Sequence, residues 1–347
     1  MTTARTTTAA RVRPRYRLLA GIAAGALIGV LIGLVLTMTI APPGVIEPGA
    51  VVVVGLPVAR ALLDLAAVVT VGVSFLPKLL GDDRPKRSAP VLALGRRIAV
   101  ASSAVWLVAA IASLMFETAD LNVGLPLTFA EITSYVRQIA SGQALVIVAC
   151  SALIYLVIGL VSLRRGEAVP AELRITVALF TLLPLPVTGH ADSGTSWQDI
   201  NMISMELHVV GAVAWTGGLL AVILLVAANR SLLAFALPRY SKIATVCVFL
   251  VMVTGVFNGW LELYQTPGVH WYLALFTSGY GQILLLKGGC LTAAALLGAH
   301  TRFKLLPKIA ERRTTAVATW ALLELTVMGL AFGLAAVLVR APVINGS

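Results

Sequence analysis

Nine long apolar runs are the feature that most constrains the fold of this chain. Each run has about 18 or more mostly apolar residues, the length at which an α-helix crosses the hydrocarbon core of a bilayer. The chain is 59% hydrophobic and only 12% charged, a balance that excludes a soluble globular protein. The sequence therefore predicts an all-α, polytopic membrane protein with nine transmembrane helices. The runs span residues 18–41, 51–79, 97–116, 140–163, 173–189, 204–228, 241–264, 281–300 and 318–339.

The basic residues orient these predicted helices in the membrane. All of the 26 Lys and Arg residues except Arg60, Arg137, Lys287 and Arg340 fall in segments on one side of the membrane. Because an excess of Lys and Arg marks the cytoplasmic side, we expect the N-terminus inside and the C-terminus outside. This topology accounts for the net charge of +11, so we expect no nucleic-acid partner.

The order of the runs suggests a division of the chain. Residues 1–17 are rich in Thr, Ala and Arg without apolar periodicity, which predicts a disordered basic cytoplasmic tail. A charged, proline-containing segment after Leu163 separates a four-helix membrane half, residues 18–163, from a five-helix half, residues 173–340. A brief pattern from Phe129 to Ile139 is compatible with a short interfacial helix on the outer side.

Two packing signals lie within the first two runs. Four glycines at four-residue spacing, from Gly21 to Gly33, form a ridge that lets another helix backbone approach closely. Its partner is either another helix of this chain or a second protomer. Arg60 and Asp64 lie one turn apart in the second run, where we expect them to neutralise one another as a structural ion pair.

The stretch from Gly189 to Leu219 holds the best candidates for chemistry. The whole chain has only four histidines, and two of them fall in this stretch together with two methionines and three carboxylates. Imidazole and thioether ligands together favour a soft metal, copper as Cu(I) before zinc. The residues concerned are His190, His208, Met202, Met205, Asp192, Asp199 and Glu206.

The predicted topology brings both histidines to a similar depth near the outer face. His190 ends the fifth run, and His208 lies about one turn inside the sixth. Met205 precedes His208 by three residues and Trp215 follows it by seven, so these three share one helical face. Alternatively, the histidines cap a helix end and satisfy a carbonyl while the methionines fill space. We expect His190, His208, Met205 and Met202 to be metal ligands, since ionisable groups inside membranes are usually functional.

A polar stripe continues inward on the seventh run. Thr254, Asn258 and Glu262 follow one another at four-residue steps, and the stripe lines a cation path or satisfies polar groups between helices. Lys287 can pair with Asp64 or Glu262, whereas Glu324 lies in the inner half of the last run, too far from Lys287 to pair directly. The candidate positions along the path or around the ligands are Trp215, Asn258, Glu262, Lys287, Asp192 and Glu206.

The cysteines add little to the candidate site. Cys150, Cys247 and Cys290 fall inside predicted helices and offer neither a disulfide framework nor a CxxC metal pair. Cys247, Cys290 and His300 lie progressively further inward and could relay a thiophilic ion, although single helical cysteines are usually small apolar fillers. The chain has no hydrolytic triad, phosphate-binding loop or HExxH motif, so we expect no enzymatic activity.

Four motifs in the second half resemble the copper resistance protein D (CopD) family of inner-membrane proteins. Together they cover roughly residues 188–307, and the first four helices carry no motif of this kind. The motifs are TGHA at Thr188–Ala191, ELHVVGAVAWTGGL at Glu206–Leu219, YSKIATVCVFLVMVTGVFNGWLEL at Tyr240–Leu263 and YGQILLLKGGCLTAAALLGAHTRFKLLP at Tyr280–Pro307.

The resemblance implies a multi-pass protein of the bacterial inner (plasma) membrane that takes up copper at the outer face and imports it. His190, His208, Trp215, Asn258 and Lys287 occupy family-motif positions. The partners implied are the copper ion, the lipid bilayer, and a periplasmic copper-binding protein or an oxidase-assembly partner.

Two alternatives remain open at the level of sequence. In some bacteria a similar region precedes a membrane domain that resembles a cytochrome c oxidase copper-assembly factor, which favours a copper-delivery role without transport across the membrane. A haem-binding membrane cytochrome with His190 and His208 as axial ligands is the other alternative, but haem would leave Met202 and Met205 unused.

Overall fold

The fold consists of α-helices joined by short connections. The computed structural model describes residues 4–38, 48–81, 85–188, 197–266, 268, 270–310 and 316–341, and within these ranges it contains no β-strand. The α-helices are α1 (Ala4–Thr37), α2 (Ala50–Leu80), α3 (Pro85–Leu121), α4 (Phe129–Gln138), α5 (Ala140–Arg165), α6 (Ala171–Phe180), α7 (Gln198–Ala221), α8 (Arg230–Gln265), α9 (Trp271–Thr277), α10 (Gly279–His300), α11 (Leu306–Ala310) and α12 (Val317–Leu338).

Nine helical segments within the described residues are long and apolar enough to cross a membrane. The all-α class and the nine transmembrane helices predicted from sequence are therefore confirmed. The orientation of the termini stays a prediction, and "outer" and "inner" below denote the sides assigned from the charge pattern. The segments are Arg17–Thr37, Ala50–Leu80, Pro85–Leu121, Ala140–Arg165, Ala171–Thr188, Gln198–Val226, Arg230–Gln265, Gly279–Ile309 and Val317–Leu338.

Several helices extend well beyond their apolar runs on the inner side. Helix α3 begins at Pro85 and α8 at Arg230, about a dozen residues before the runs that predicted them. Hydropathy detects only the part of a helix that lies in lipid, whereas Lys, Arg and Ala favour helix in water as well. Helix α1 likewise begins at Ala4, before its apolar run, and the disordered tail expected for residues 1–17 stays a prediction.

The short outer helix α4 lies where the sequence suggested an interfacial helix. Its Tyr135 is buried and donates its hydroxyl to the carboxylate of Glu117 on α3, with an oxygen–oxygen distance of 2.6 Å. The same hydroxyl lies 2.5 Å from Ser141 Oγ at the start of α5. Burial and the neighbouring Glu117 carboxylate raise the pKa of Tyr135 well above its usual value. Tyr135 thus fastens α4 to both adjoining membrane helices.

The glycine ridge of α1 packs against α12 of the same chain. A Cβ atom added at Gly25 or Gly29 would collide with the backbone carbonyl of Thr326 or Leu330 on α12. In return, a Cβ at Gly333 would collide with the carbonyl of Ala26. Such close backbone contact is possible only where neither helix carries a side chain, so the partner that the sequence left open is the last helix.

Helix α7 lies at the centre of the bundle. It packs against α2 and α8, and 83% of its most apolar stretch is buried, the largest share among the nine described spans. Gly72 of α2 and Gly217 of α7 meet backbone to backbone, because a Cβ on either glycine would collide with the other helix. A π-helical turn, Val222–Val226, continues α7 toward the inner side.

The two membrane halves share one apolar core. The largest buried cluster includes Leu63 and Trp106 from the first half and Leu219 and Leu325 from the second. The proposed boundary between residues 163 and 173 remains a prediction about the organisation of the sequence.

Replacing Gly29 with valine tests the contact between α1 and α12. The added side chain would meet the α12 backbone, so we expect the free energy of unfolding to fall by roughly 1–3 kcal/mol, the usual cost of overpacking. Gly288→Val is the matched control, since nothing lies within 4 Å of a Cβ at that position. Thermal melting in detergent measures both variants, and a wild-type melting temperature for Gly29→Val would contradict the contact.

Candidate metal site between helices α7 and α8

One face of α7 and one face of α8 bring the candidate ligands together. Asn201, Met205 and His208 lie four and three residues apart, so they share a face over two turns of α7. Thr254 and Asn258, one turn apart on α8, hydrogen-bond to this face. Part of the polar stripe predicted on the seventh run thus meets the predicted ligands directly.

The His208 imidazole is oriented by Thr254. The His208 Nδ1 and Thr254 Oγ1 atoms lie 3.0 Å apart. Thr254 donates its single hydroxyl hydrogen to the carbonyl of Leu250 at 2.6 Å, so its oxygen is left to accept a hydrogen bond from Nδ1–H. A neutral imidazole protonated at Nδ1 carries a lone pair on Nε2. This arrangement, with one ring nitrogen held by a neighbour and the other available, is the one that metal-binding histidines adopt.

A glycine on α8 provides the space for this ring. A Cβ added at Gly255 would come within 3.0 Å of His208 Cε1 and 3.4 Å of Nδ1. The carbonyl of Val251, on the preceding turn of α8, also hydrogen-bonds the imidazole. The Nδ1 edge of His208 therefore faces the α8 backbone.

The Met205 thioether is held by Asn258. Asn258 Nδ2 donates to Met205 Sδ at 3.7 Å, a contact that holds the sulfur one turn of α7 above His208. The carboxamide oxygens of Asn258 and Asn201, two residues that are only 6% and 4% exposed, have no hydrogen-bond partner among the described residues. Buried acceptors without partners commonly mark a place where an ion or water binds.

Opposite charges flank this face of α7. Lys287 of α10 lies near enough to His208 and to Asp64 of α2 for its charge to act on both. Of the two partners expected for Lys287, Asp64 is the one whose charge reaches it. The positive charge beside His208 is thereby balanced by a carboxylate of a neighbouring helix.

The Arg60 side chain points toward the end of the fifth membrane span rather than toward Asp64. Its guanidinium donates to the hydroxyl of Thr188 and to the carbonyl of Leu185 at 3.3 Å, so it acts on Asp64 only through its charge. The expected Arg60–Asp64 ion pair is therefore wrong. The reason is that the end of the fifth membrane span packs beside Arg60 and offers it two oxygen acceptors. Arg60 thus fixes the turn that immediately precedes Gly189 and His190.

The other predicted site residues are distributed unevenly. His190 and Asp192 lie outside the described residues. Met202 is half-buried, and Glu206, two residues from His208, lies off the shared face of α7. The charge of Glu262 acts on Tyr280 of α10.

The predicted inward relay forms no compact site. Cys247 and Cys290 are buried free thiols, and the His300 ring stacks on Trp320 with their centroids 4.2 Å apart. In the part of the chain that the structure describes, no three His, Cys, Asp or Glu side chains come together around one point. Three side chains of these types from the described residues therefore do not form a metal site at His208.

Two contacts of the site were not anticipated from the sequence. Asn201 shares the helix face of Met205 and His208. The only sign of this in the sequence was its four-residue spacing from Met205. Trp215 is buried, and its indole N–H is the hydrogen-bond donor to Glu324 of α12. Tyr240 in turn donates to the carbonyl of Trp215 at 2.9 Å. The sequence showed Glu324 as an intramembrane carboxylate but gave no sign of its partner.

Comparison with known proteins supplies the family of this chain. The family described as "Copper resistance protein D" matches residues 234–338, and the one described as "Copper resistance protein D-like, N-terminal domain" matches residues 51–200. The chain belongs to the copper resistance protein D family. The N-terminal match corrects the expectation that the first four helices carry no family motif, because it covers α2 to α6.

A curated relative points in the same direction. The chain is 30% identical over 150 residues to "Copper transport protein CutJ" of Bacillus subtilis (strain 168). The match covers 41% of this chain but only 26% of that protein, so it spans about a quarter of the relative's length. No solved structure matches the chain.

The Thr254 contact predicts the tautomer of His208. We expect nuclear magnetic resonance of isotope-labelled histidine to show His208 protonated at Nδ1, and Thr254→Val to weaken that preference, because the Thr254 oxygen is lost as an acceptor while the Val251 carbonyl remains. The His208→Gln spectrum assigns the signal. Thr292→Val is the control, since that exposed hydroxyl only bonds Gly288 of its own helix. An Nε2-protonated His208 in the wild type would contradict the geometry.

Proposed function

We propose that this copper resistance family member takes up Cu(I) at the outer side of the bacterial inner membrane and imports it. The observation that carries the proposal is the hydrogen bond from His208 Nδ1–H to Thr254. It leaves the Nε2 lone pair available as a ligand, one helical turn from the thioether of Met205. Imidazole with thioether suits Cu(I), because soft ligands select this ion over the harder divalent metals.

We propose His190 as a further ligand of the same Cu(I) ion. Thr188, two residues before His190, accepts a hydrogen bond from Arg60, which holds this part of the chain against α2. The carboxamide oxygens of Asn201 and Asn258 are harder groups, and we assign them to water that accompanies the ion rather than to Cu(I) itself. Met202, half-buried one residue from Asn201, is proposed as a ligand at the outer mouth.

Movement inward is favoured by the distribution of charge. A cation in the low-dielectric interior requires nearby negative charge or dipoles. Asp64 offsets Lys287 beside His208, and Glu324 lies further in. The name of the relative, a copper transport protein, agrees with transport of copper. Delivery of copper to an oxidase from the outer side would make no use of the inner polar groups.

Substitution of the two central ligands tests copper binding. We expect His208→Ala and Met205→Leu each to lower the affinity for Cu(I) by at least about tenfold, since even the partners of metal ligands commonly contribute that much. The affinity is measured by competition with a coloured Cu(I) chelator on purified protein. Met252→Leu is the matched control, because Met252 is 45% exposed on the surface of α8.

The results separate the possible roles. Unchanged affinity in both ligand variants would overturn the site. Normal binding by wild-type protein without Cu(I) uptake into proteoliposomes would overturn import and leave delivery at the outer face as the function. A Soret absorption band in purified protein would instead support a haem site.

A further inference from the structure

Glu324 is a buried carboxylate that the proposed outer site does not use. It is 3% exposed and lies on α12, seven residues after the inner start of that helix. Among the described residues the ion pairs are Lys78–Glu172 and Arg340–Asp120, and neither of them involves Glu324. Its donor is the neutral indole N–H of Trp215.

The same helix face connects Glu324 to the outer site. Trp215 follows His208 by seven residues, which is two turns on one face of α7. At 1.5 Å per residue, Trp215 and the Glu324 carboxylate that it hydrogen-bonds lie about 10 Å further inward than His208. The polar face of α7 therefore reaches inward from His208 to this carboxylate.

The neighbouring helix leaves room around the carboxylate. A Cβ added at Gly298 of α10 would lie 3.1 Å from Glu324 Oε1 and 3.9 Å from Oε2, so both oxygens face a position without a side chain. One turn further along, the buried hydroxyl of Thr301 has no hydrogen-bond partner among the described residues. Thr301 also begins a π-helical turn, Thr301–Leu305, and such turns often occur at functional sites.

Aromatic and imidazole groups surround the inner side of the carboxylate. Trp320 precedes Glu324 by one turn of α12 and stacks on His300 of α10. The charge of Glu324 acts on the phenol of Tyr240. The same phenol donates a hydrogen bond to the carbonyl of Trp215. Glu324 thus lies between the outer site and His300, next to four helices that all reach the inner side.

We propose that Glu324 is a second, inner cation station, at which a small monovalent cation is held after it leaves His208 and before it reaches the inner face. This inference rests on the proposed import function. The carboxylate supplies the counter-charge that a cation needs in the membrane interior, and Gly298 leaves the oxygens open to it. No covalent or redox step is involved. The cation is a proton that accompanies the passage of Cu(I), or Cu(I) itself held by charge and through water, because a carboxylate oxygen is too hard to be a strong direct ligand of Cu(I).

Uptake of Cu(I) by proteoliposomes tests this station with a matched pair of variants. We expect Glu324→Gln to lower the uptake rate by about tenfold or more while the stoichiometry and affinity of Cu(I) binding at the outer site stay at wild-type values. Glu117→Gln is the control. Glu117 is an equally buried carboxylate, 4% exposed, with a neutral hydroxyl donor, but it lies on α3, away from this face of α7. Its uptake should remain within about twofold of wild type.

A second variant separates loss of function from loss of folding. Gly298→Ala retains the carboxylate but places a methyl group against it, so we expect a smaller loss of uptake with unchanged outer binding. A pH-sensitive dye inside the vesicles distinguishes the two cations. Acidification or alkalinisation that tracks copper entry and disappears in Glu324→Gln identifies a proton station, whereas uptake without a pH change identifies a Cu(I) station.

Each remaining outcome counts against a particular claim. Wild-type uptake by Glu324→Gln, or equal losses in Glu324→Gln and Glu117→Gln, would overturn the station while leaving the outer site intact. Absence of uptake by wild-type protein would overturn import and the station together. Loss of outer-site binding in Glu324→Gln would show that Glu324 supports the fold of α7 rather than an inner station.

Discussion

The backbone contact between Gly72 of α2 and Gly217 of α7 is the constraint on which the rest of the structure depends. It brings the backbones of α2 and α7, which cross the membrane in the same direction, into direct contact. It also places α7 at the centre of the bundle. Asp64 lies eight residues before Gly72, and His208 lies nine residues before Gly217. At 1.5 Å per residue the two side chains are therefore at nearly the same depth, which is why a carboxylate of α2 can balance the Lys287 charge beside the imidazole of α7.

The polar groups on α7 depend on partners from other helices, because lipid offers none. Thr254 and Asn258 of α8 hold the imidazole and the thioether in place, and Trp215 joins the inner end of the same face to Glu324. Two buried carboxamide oxygens remain without partners among the described residues, on the faces that carry the proposed ligands. A helix face that is ordered by its neighbours but incompletely satisfied is well suited to bind a passing ion and release it again.

Much of this architecture follows from the sequence, and the exceptions have physical causes. Apolar length predicted nine membrane spans, and helical periodicity placed Met205 and His208 on one face together with Trp215. The partner of the glycine ridge could not be predicted, because four-residue spacing specifies a smooth surface but not which helix meets it. The same holds for Arg60, whose donors reach Thr188 rather than the nearby Asp64. Asn201 was missed because an amide near a helix start resembles any polar residue at a membrane surface.

The central claim is that the His208 imidazole and the Met205 thioether bind the same Cu(I) ion. X-ray absorption of protein loaded with one equivalent of Cu(I), with selenomethionine in place of methionine, tests this most directly. The account predicts both imidazole nitrogen and selenium in the copper shell, with the selenium signal reduced in Met205→Leu and unchanged in Met252→Leu. A shell made only of cysteine sulfur, or one without selenium, would contradict it.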